Sequence, residues 1–376
     1  MTETASTPGS PAVSAGAFVG TFALILAAIA GLFAIDTILA QTDRAANRAE
    51  AHRLFDEGER LQAQGEMHEA LERLRSAVAA ERDNPMYQRG LAAALLTANR
   101  PGDALAVLAE RLQHDPTDAE ASLMMARALV REGKTRQAIA FYHRAIFGDW
   151  SPAQRAGRVE ARFELVRVLA AEQAREELLA ELLPLESEAP SDHATRIRIA
   201  QLFLSASAPA RAAEIFAQLV RQDRHDAAAY AGLGEAELQQ GSYRSARRAL
   251  AAALALRPGD PRIAGRLDLC ERVLALDPTQ RGIGIRAQYA RSVALLGLTV
   301  AAADSCAASG GGPSPAALLD SARAALGRPL PGGPSADEAV DAQVNLAVRL
   351  WQSRPPRCPT PASARAAELL VTKLAD

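Results

Sequence analysis

Six histidines (His52, His68, His114, His143, His193 and His225) and three cysteines (Cys270, Cys306 and Cys358) are the side chains best suited to hold a metal or act as nucleophiles. Their spacing suits neither. There is no HExxH helix and no Cys-His cluster, so the three or four converging ligands that zinc requires are not expected, and no metal is assigned. GIGIR at 282 lacks both the Lys-Ser/Thr ending and the preceding strand of a phosphate loop. No G-x-S-x-G elbow occurs, and acidic pairs such as Glu176-Glu177 are adjacent, so they do not face one another on a helix. An enzyme is therefore not expected, no catalytic residue is assigned, and no cofactor is implied.

The remaining chemistry is recognition by arginine. The stretch GSYRSARRALAAALALRPGD carries Arg244, Arg247 and Arg248 on an alanine-leucine background. Against 42 basic residues the chain has 44 acidic ones, a formal net charge of -2, so no global field draws in polyanions and nucleic acid is not an expected partner. The arginine cluster reads as the solvated face of a helix.

The elements that position these residues follow from composition and period. Aromatic residues make up 4% of the chain, while alanine, leucine, arginine and glutamate dominate, and these side chains lose little rotamer freedom in a helix. Within the same stretch, Gly241 precedes Ala246 by five residues and Leu250 by nine, and Ala253 and Pro258 follow. GEMHEALERL and GKTRQAIAFY repeat the offsets. In register, the small position holds Ala70, Ala104, Ala138, Leu178, Ala212 and Ala246, at separations of 34, 34, 40, 34 and 34. One six-residue insertion, AQRAGR at 153–158, interrupts the period. GLGEAELQQG at 232 belongs to this register and not to a nucleotide motif.

The pattern resembles the tetratricopeptide repeat family, in which 34-residue helix-turn-helix units carry an aromatic, a Leu-Gly pair, a Gly, an Ala, an aromatic and a Pro at fixed offsets. The unit 227–260 matches through Tyr230, Leu233, Gly234, Gly241, Tyr243, Ala246, Leu250, Ala253 and Pro258. Six units are assigned: 51–84, 85–118, 119–152, 159–192, 193–226 and 227–260. Asn99, Trp150 and Arg224 depart from the pattern at turn glycine or proline positions. The resemblance implies an all-α, right-handed superhelical solenoid of antiparallel helix pairs. It also implies that inward offsets of each first helix line a concave groove. Carried over residue by residue, these are Phe55, Arg89, Leu123, Phe163, Ile197 and Ala231 at the fifth offset. The ninth offset is Glu59, Ala93, Arg127, Arg167, Gln201 and Glu235. This surface suits a protein or peptide partner with apolar anchors and an acidic residue, because a guanidinium pairs with a carboxylate in a fork. The apolar fifth-offset residues suit packing between adjacent first helices equally well. The family's clamp of paired Lys and Asn is absent.

Outside the repeats, residues 1–16 read as a disordered tail. Residues 17–40 read as one transmembrane helix, because the uncharged run 17–35 has 19 residues, enough at 1.5 Å each to span most of a hydrocarbon core of roughly 30 Å. A cleaved signal peptide fits less well, since no Lys or Arg occurs among the first 16 residues and the apolar run is long. Residues 41–50 read as a helical linker, 261–302 as capping helices, and 303–376 as Gly/Pro-rich connectors with short helices. Cys306 and Cys358 form a possible disulfide if the domain is extracytoplasmic and stay free thiols otherwise. The arginines after the anchor (Arg44, Arg48 and Arg53) favour a cytoplasmic array, whereas the cysteine pair and the resemblance favour the extracytoplasmic side of a bacterial-type inner membrane. The functional expectation is a membrane-anchored scaffold or adaptor for protein partners, in assembly of an envelope complex; the alternative is a ligand-responsive regulator or chaperone-like accessory.

Overall fold

The computed structural model describes residues 15–375 except 155, 311, 313 and 334. The expected tail at 1–16 falls almost wholly outside the described residues, as do many side chains of the 17–40 segment. The chain divides into two compact units, Met1–Val168 and Leu169–Asp376. Among the described residues there is no strand, only an isolated parallel bridge between Asp118 and Asp149.

The first unit contains α1 (Ala15–Gln64), α2 (Met67–Ala80), α3 (Pro85–Thr97), α4 (Pro101–His114), α5 (Ala119–Arg131), α6 (Thr135–Phe147) and most of α7 (Ala156–Ala171). The second contains α8 (Arg175–Glu188), α9 (His193–Ser205), α10 (Pro209–Gln222), α11 (Ala227–Gln239), α12 (Tyr243–Leu256), α13 (Pro261–Leu276), α14 (Ile285–Ala308), α15 (Ala316–Leu326), α16 (Ser335–Gln352) and α17 (Arg365–Ala375).

One left-handed residue closes the first helix of every repeat. Gly65, Asn99, Gly133, Gln173, Ser207 and Gly241 all have φ between 54° and 85°. The following N–H reaches back to close the turn, as Glu66 to Leu61 (3.0 Å), Lys134 to Leu129 (2.9 Å) and Ser242 to Glu237 (2.8 Å). This is the hydrogen-bond pattern that satisfies orphan carbonyls at a helix end. The turn therefore depends on backbone geometry, and Gln173 and Ser207 adopt it without the freedom of glycine.

A second ladder shares the period. Asn84, Asp118, Asp192, Asp226 and Asp260 each cap a first helix, accepting a hydrogen bond from an N–H two or three residues on. Where the insertion displaces this position, Pro152–Gln154 forms a single 3-10 turn. Trp150, in place of the repeat's proline, donates its indole N–H to Ala145 C=O at 2.8 Å. Its ring lies where a Cβ on Gly157 would sit, so this departure from the pattern has a packing partner.

The small-large alternation packs as close helix pairs. A Cβ on Gly58 would meet Leu74, and one on Gly234 would meet Leu250 Cγ at 2.5 Å. Phe216 occupies the space over Gly232 in the same way.

Three sequence boundaries move. The expected anchor, linker and first repeat helix form the single helix α1, since no proline occurs from 15 to 64. Polarity changes near 41 and again near 51, but neither change breaks a helix. Helix α14 runs through the expected boundary at 303, because the alanine-rich AAADSCAA continues the helix up to a left-handed Gly310. By length and composition α14 could cross a membrane, yet Leu295, Leu296, Val300 and Ala303 lie in the core of the second unit, which accounts for their apolar character. That core also takes in Ala322 of α15, Leu350 of α16 and Leu370 of α17, so the C-terminal helices are integral to it.

Candidate functional site

In the first unit the large apolar residues expected to line the groove are buried. Phe55, Leu123 and Phe163 are buried at 4–5% exposure, and the Phe55 ring packs in a tilted arrangement against Tyr87 of α3, with centroids 5.0 Å apart. All three side chains are closed off from solvent. They do not present a groove surface.

Two of the three arginines are held as well. Arg89 of α3 binds Asp118 at 3.0 Å and Glu120 at 2.8 Å, both on the edge of α5. Arg127 of α5 forks onto Glu164 of α7, with Nη2 at 2.7 Å, and the Tyr142 hydroxyl donates to the same carboxylate at 3.0 Å. The hydrogen bond from Arg127 to Glu164 raises the arginine's pKa, and burial followed by the Glu164 charge raises that of Tyr142. Both guanidinia are therefore already neutralised links between successive first helices. Arg167 is exposed, with Glu160 at 3.8 Å.

Asp118 is the anchor of this network. It caps α5 through Ala121 N–H at 2.9 Å and accepts from Arg111 at 2.7 Å as well as from Arg89. Burial pulls its pKa up, but the Ala121 N–H and the two guanidinia outweigh this and hold the carboxyl below its ordinary value. In Asp226 burial is likewise outweighed, by the Ala229 N–H and His193, and in Asp192 the Thr195 N–H lowers the pKa. These carboxyls are more acidic folded than unfolded, where the pKa is near 3.9. Their stabilisation is complete above that region and is lost as pH falls through it. Asp118→Ala is expected to destabilise the first unit by roughly 2–4 kcal/mol, combining a lost cap with two stranded arginines. Asp118→Asn keeps an acceptor and should cost less. Urea unfolding of both variants at pH 7 and pH 3 checks this, with a smaller difference from wild type at the lower pH.

The second unit leaves a surface open. The first helices α9, α11 and α13 lie in sequence, and Gln201, Ala231 and Glu235, three of the expected inward positions, line one cavity of about 300 Å³. Its floor is small or apolar, with Ala228, Ala231, Gly232 and Ile263, and its rim includes Arg262 and Arg266. Gly232 leaves room for the Phe216 ring of α10, which a Cβ there would strike, so α10 and α11 approach closely at this point of the cavity lining. Arg266 pairs with Glu235 at 3.0 Å, linking α13 to α11. Ile197 is half-buried.

A second cavity of about 700 Å³ shares Glu235 and Arg266 and continues past Leu238 and Tyr243 to Leu369, Thr372 and Lys373 of α17. Helix α17 is fixed there by two contacts. The Tyr243 hydroxyl donates to Leu369 C=O at 2.8 Å, and Lys373 donates to Gly241 C=O at 2.8 Å with its ammonium 5.1 Å from the Tyr243 ring centre. Burial pushes the Tyr243 hydroxyl up to about 12, so it stays a donor across the physiological range. The two cavities form one trough with an apolar floor and a charged rim. The sequence offered no sign of α17 as its wall, because that contact spans more than 120 residues of chain.

Cys270 is fully buried, and burial pushes its thiol up to about 11, which removes it as a nucleophile. Cys306 and Cys358 lie with Cα atoms 5.3 Å apart and are joined as a disulfide.

Comparison with known proteins bears on the repeats. The tetratricopeptide repeat family model matches residues 61–128, 95–149 and 203–266, and the chain carries tetratricopeptide repeats over these segments. A search of curated proteins finds no match. Among solved structures, the chain is similar to YrrB, described as a TPR protein with an unusual peptide-binding site, at 18% identity and a TM-score of 0.43 over 52% of this chain and 97% of that one. It is also similar to the C-terminal part of a TPR repeat-containing protein from Cytophaga hutchinsonii, at 12% identity and 0.46 over 63% and 92%. MamA matches at 17% identity and 0.30 over 55% and 91%. Likenesses of this size assign neither partner nor site.

Proposed function

We propose that these tetratricopeptide repeats hold a peptide segment of a protein partner in the trough formed by α9, α11, α13 and α17, in a scaffold anchored to a bacterial-type inner membrane by residues 17–40. The observation that carries the binding reading is the trough itself, where an apolar floor meets the Glu235–Arg266 pair and the side-chain amide of Gln201. An extended segment could place apolar side chains on Ala231 and Ile263 while its charged groups exchange with that ion pair. Binding without catalysis fits the site, and assembly of an envelope complex is the role we assign to it. In support of the anchor, Leu26, Ile29, Leu32 and Phe33 on α1 are 52–69% exposed, an arrangement that lipid would satisfy. In support of an extracytoplasmic array, a disulfide persists where the compartment is oxidising.

The binding reading is tested by selecting random peptides on phage against the full chain and counter-testing with Ala231→Trp, which fills the trough floor. Selected peptides are expected to bind the variant at least about tenfold more weakly, the loss of one good contact. Peptides that bind both proteins equally would place recognition elsewhere.

A further inference from the structure

Tyr243 and Lys373 line the trough on one side and a different cleft on the other. That cleft, of about 380 Å³, is bounded by Ser242, Arg244, Ser245, Thr279 and Arg281. A neighbouring one of about 410 Å³ shares Arg244 and Leu274 and adds Arg247, Glu271, Gln280 and Arg291. Arg244 and Arg247 of the stretch GSYRSARRALAAALALRPGD, though not Arg248, therefore face a shaped recess between α12, α13 and the start of α14.

Charge in this recess is unbalanced. Arg244, Arg247, Arg281, Arg291 and Lys373 line it against the carboxylates of Asp277 and Glu271, in a chain whose overall charge is slightly negative. Asp277 is engaged with Thr279, accepting from its N–H at 2.9 Å and its hydroxyl at 2.7 Å. Arg291 is held in place by donating to the Leu274 and Asp277 carbonyls, which leaves its charge uncompensated. Arg244, Arg247 and Arg281 have no hydrogen-bond or ion-pair partner among the described residues. This contrasts with Arg89, Arg111, Arg127 and Arg211, each matched to a carboxylate. The first turn of α12 also lines the recess and contains no acidic residue, so its unbonded N–H groups add to the positive potential.

We infer that this recess binds a phosphate monoester, with Arg244 and Arg247 as the principal ligands and Arg281 closing the far side. Arg244 and Arg247 are three apart on a helix and so present their guanidinia side by side. A phosphate dianion offers three acceptor oxygens to such forks, whereas a carboxylate offers two and a single charge. A recess of this size admits a phosphate with a small polyol attached. The ester can be a soluble metabolite or the headgroup of an anionic lipid, since both present the same group. The recess shares Tyr243 and Lys373 with the trough wall, but its proposed ligands Arg244, Arg247 and Arg281 line only the recess, so the inference does not depend on peptide binding.

Isothermal titration calorimetry on the full chain in neutral detergent tests this, first with glycerol 3-phosphate and then with mixed micelles containing phosphatidic acid. Saturable binding in the first arm identifies a soluble ligand, and saturation in the second arm alone identifies a lipid headgroup; either supports the inference. Arg244→Gln with Arg247→Gln should weaken binding by roughly tenfold for each guanidinium removed. Both residues are exposed and glutamine is a good helix former, so the variant should keep its helical circular dichroism. Arg286→Gln, on an exposed residue outside the recess, should bind as wild type. No saturable heat in either arm, or undiminished affinity in the folded double variant, would overturn the site.

Discussion

Reduction of the Cys306–Cys358 bridge is expected to lower the unfolding free energy of the second unit by about 4 kcal/mol. The bridge joins the end of α14 to the segment before α17 and closes a loop of 52 residues, and chain-entropy reasoning for a loop of that length gives this magnitude. Guanidinium unfolding with and without reductant measures the shift, and Cys306→Ser with Cys358→Ser should reproduce it without reductant. The first unit lacks any part of the bridge and should unfold at its unchanged midpoint. The same cysteines report the compartment. Alkylation of freshly lysed cells should trap the bridged form if the array is extracytoplasmic, and two alkylated thiols would place it in the cytoplasm instead. Helix α17 should remain docked after reduction, because Ala366, Ala367, Leu370 and Val371 stay buried in the core.

Phe216→Ala is expected to cost 3–5 kcal/mol, on the order of other large-to-small changes at sealed core sites. The ring is 1% exposed and fills the space where a Cβ on Gly232, a residue of the trough lining, would sit. The consequence reaches function through shape: without the ring, α11 loses the support that holds Ala231 and Glu235 in line with Ile263. A double-variant cycle separates this from a general loss of packing. Gly232→Ala alone should destabilise by roughly 1–3 kcal/mol, because its Cβ collides with the Phe216 ring. Combined with Phe216→Ala, the added methyl enters the vacated space, and the pair should be less destabilised than the sum by about 1 kcal/mol or more. Strict additivity in urea unfolding would show that the two residues do not pack as described.

The repeat architecture was legible because it is written locally. Ala70, Ala104 and Ala138, and again Ala212 and Ala246 after the insertion, recur every 34 residues, and each needs only its own helix partner to explain it. The same period held a second signal, the capping residues Asn84, Asp118, Asp192, Asp226 and Asp260, which becomes readable once helix starts are known. The site was legible only in part. Offsets pick out Gln201, Ala231 and Glu235, which line one cavity, but they cannot distinguish an open face from a packed one. Phe55, Leu123 and Phe163 occupy equivalent offsets and are buried, Ile197 at the same offset is half-buried, and Ala231 lines the cavity. The arginines misled for a related reason. Arg89 and Arg127 have partners 29 and 37 residues away, beyond the reach of any pattern within one unit. Contacts such as Lys373 to Gly241 carry no local trace at all, since they arise from the fold of the whole C-terminal region.

The central claim is that partners are held in the trough of the second unit, and the most direct test is position-resolved photo-crosslinking in intact cells. A photoreactive phenylalanine analogue is placed at Gln201, Ala231 or Arg262 on the trough, and at Arg221 or Ala251 on exposed faces away from it. The account predicts that one discrete partner band forms at the three trough positions and fades at the other two. Equal labelling at all five positions, or labelling confined to Arg221 and Ala251, would contradict it.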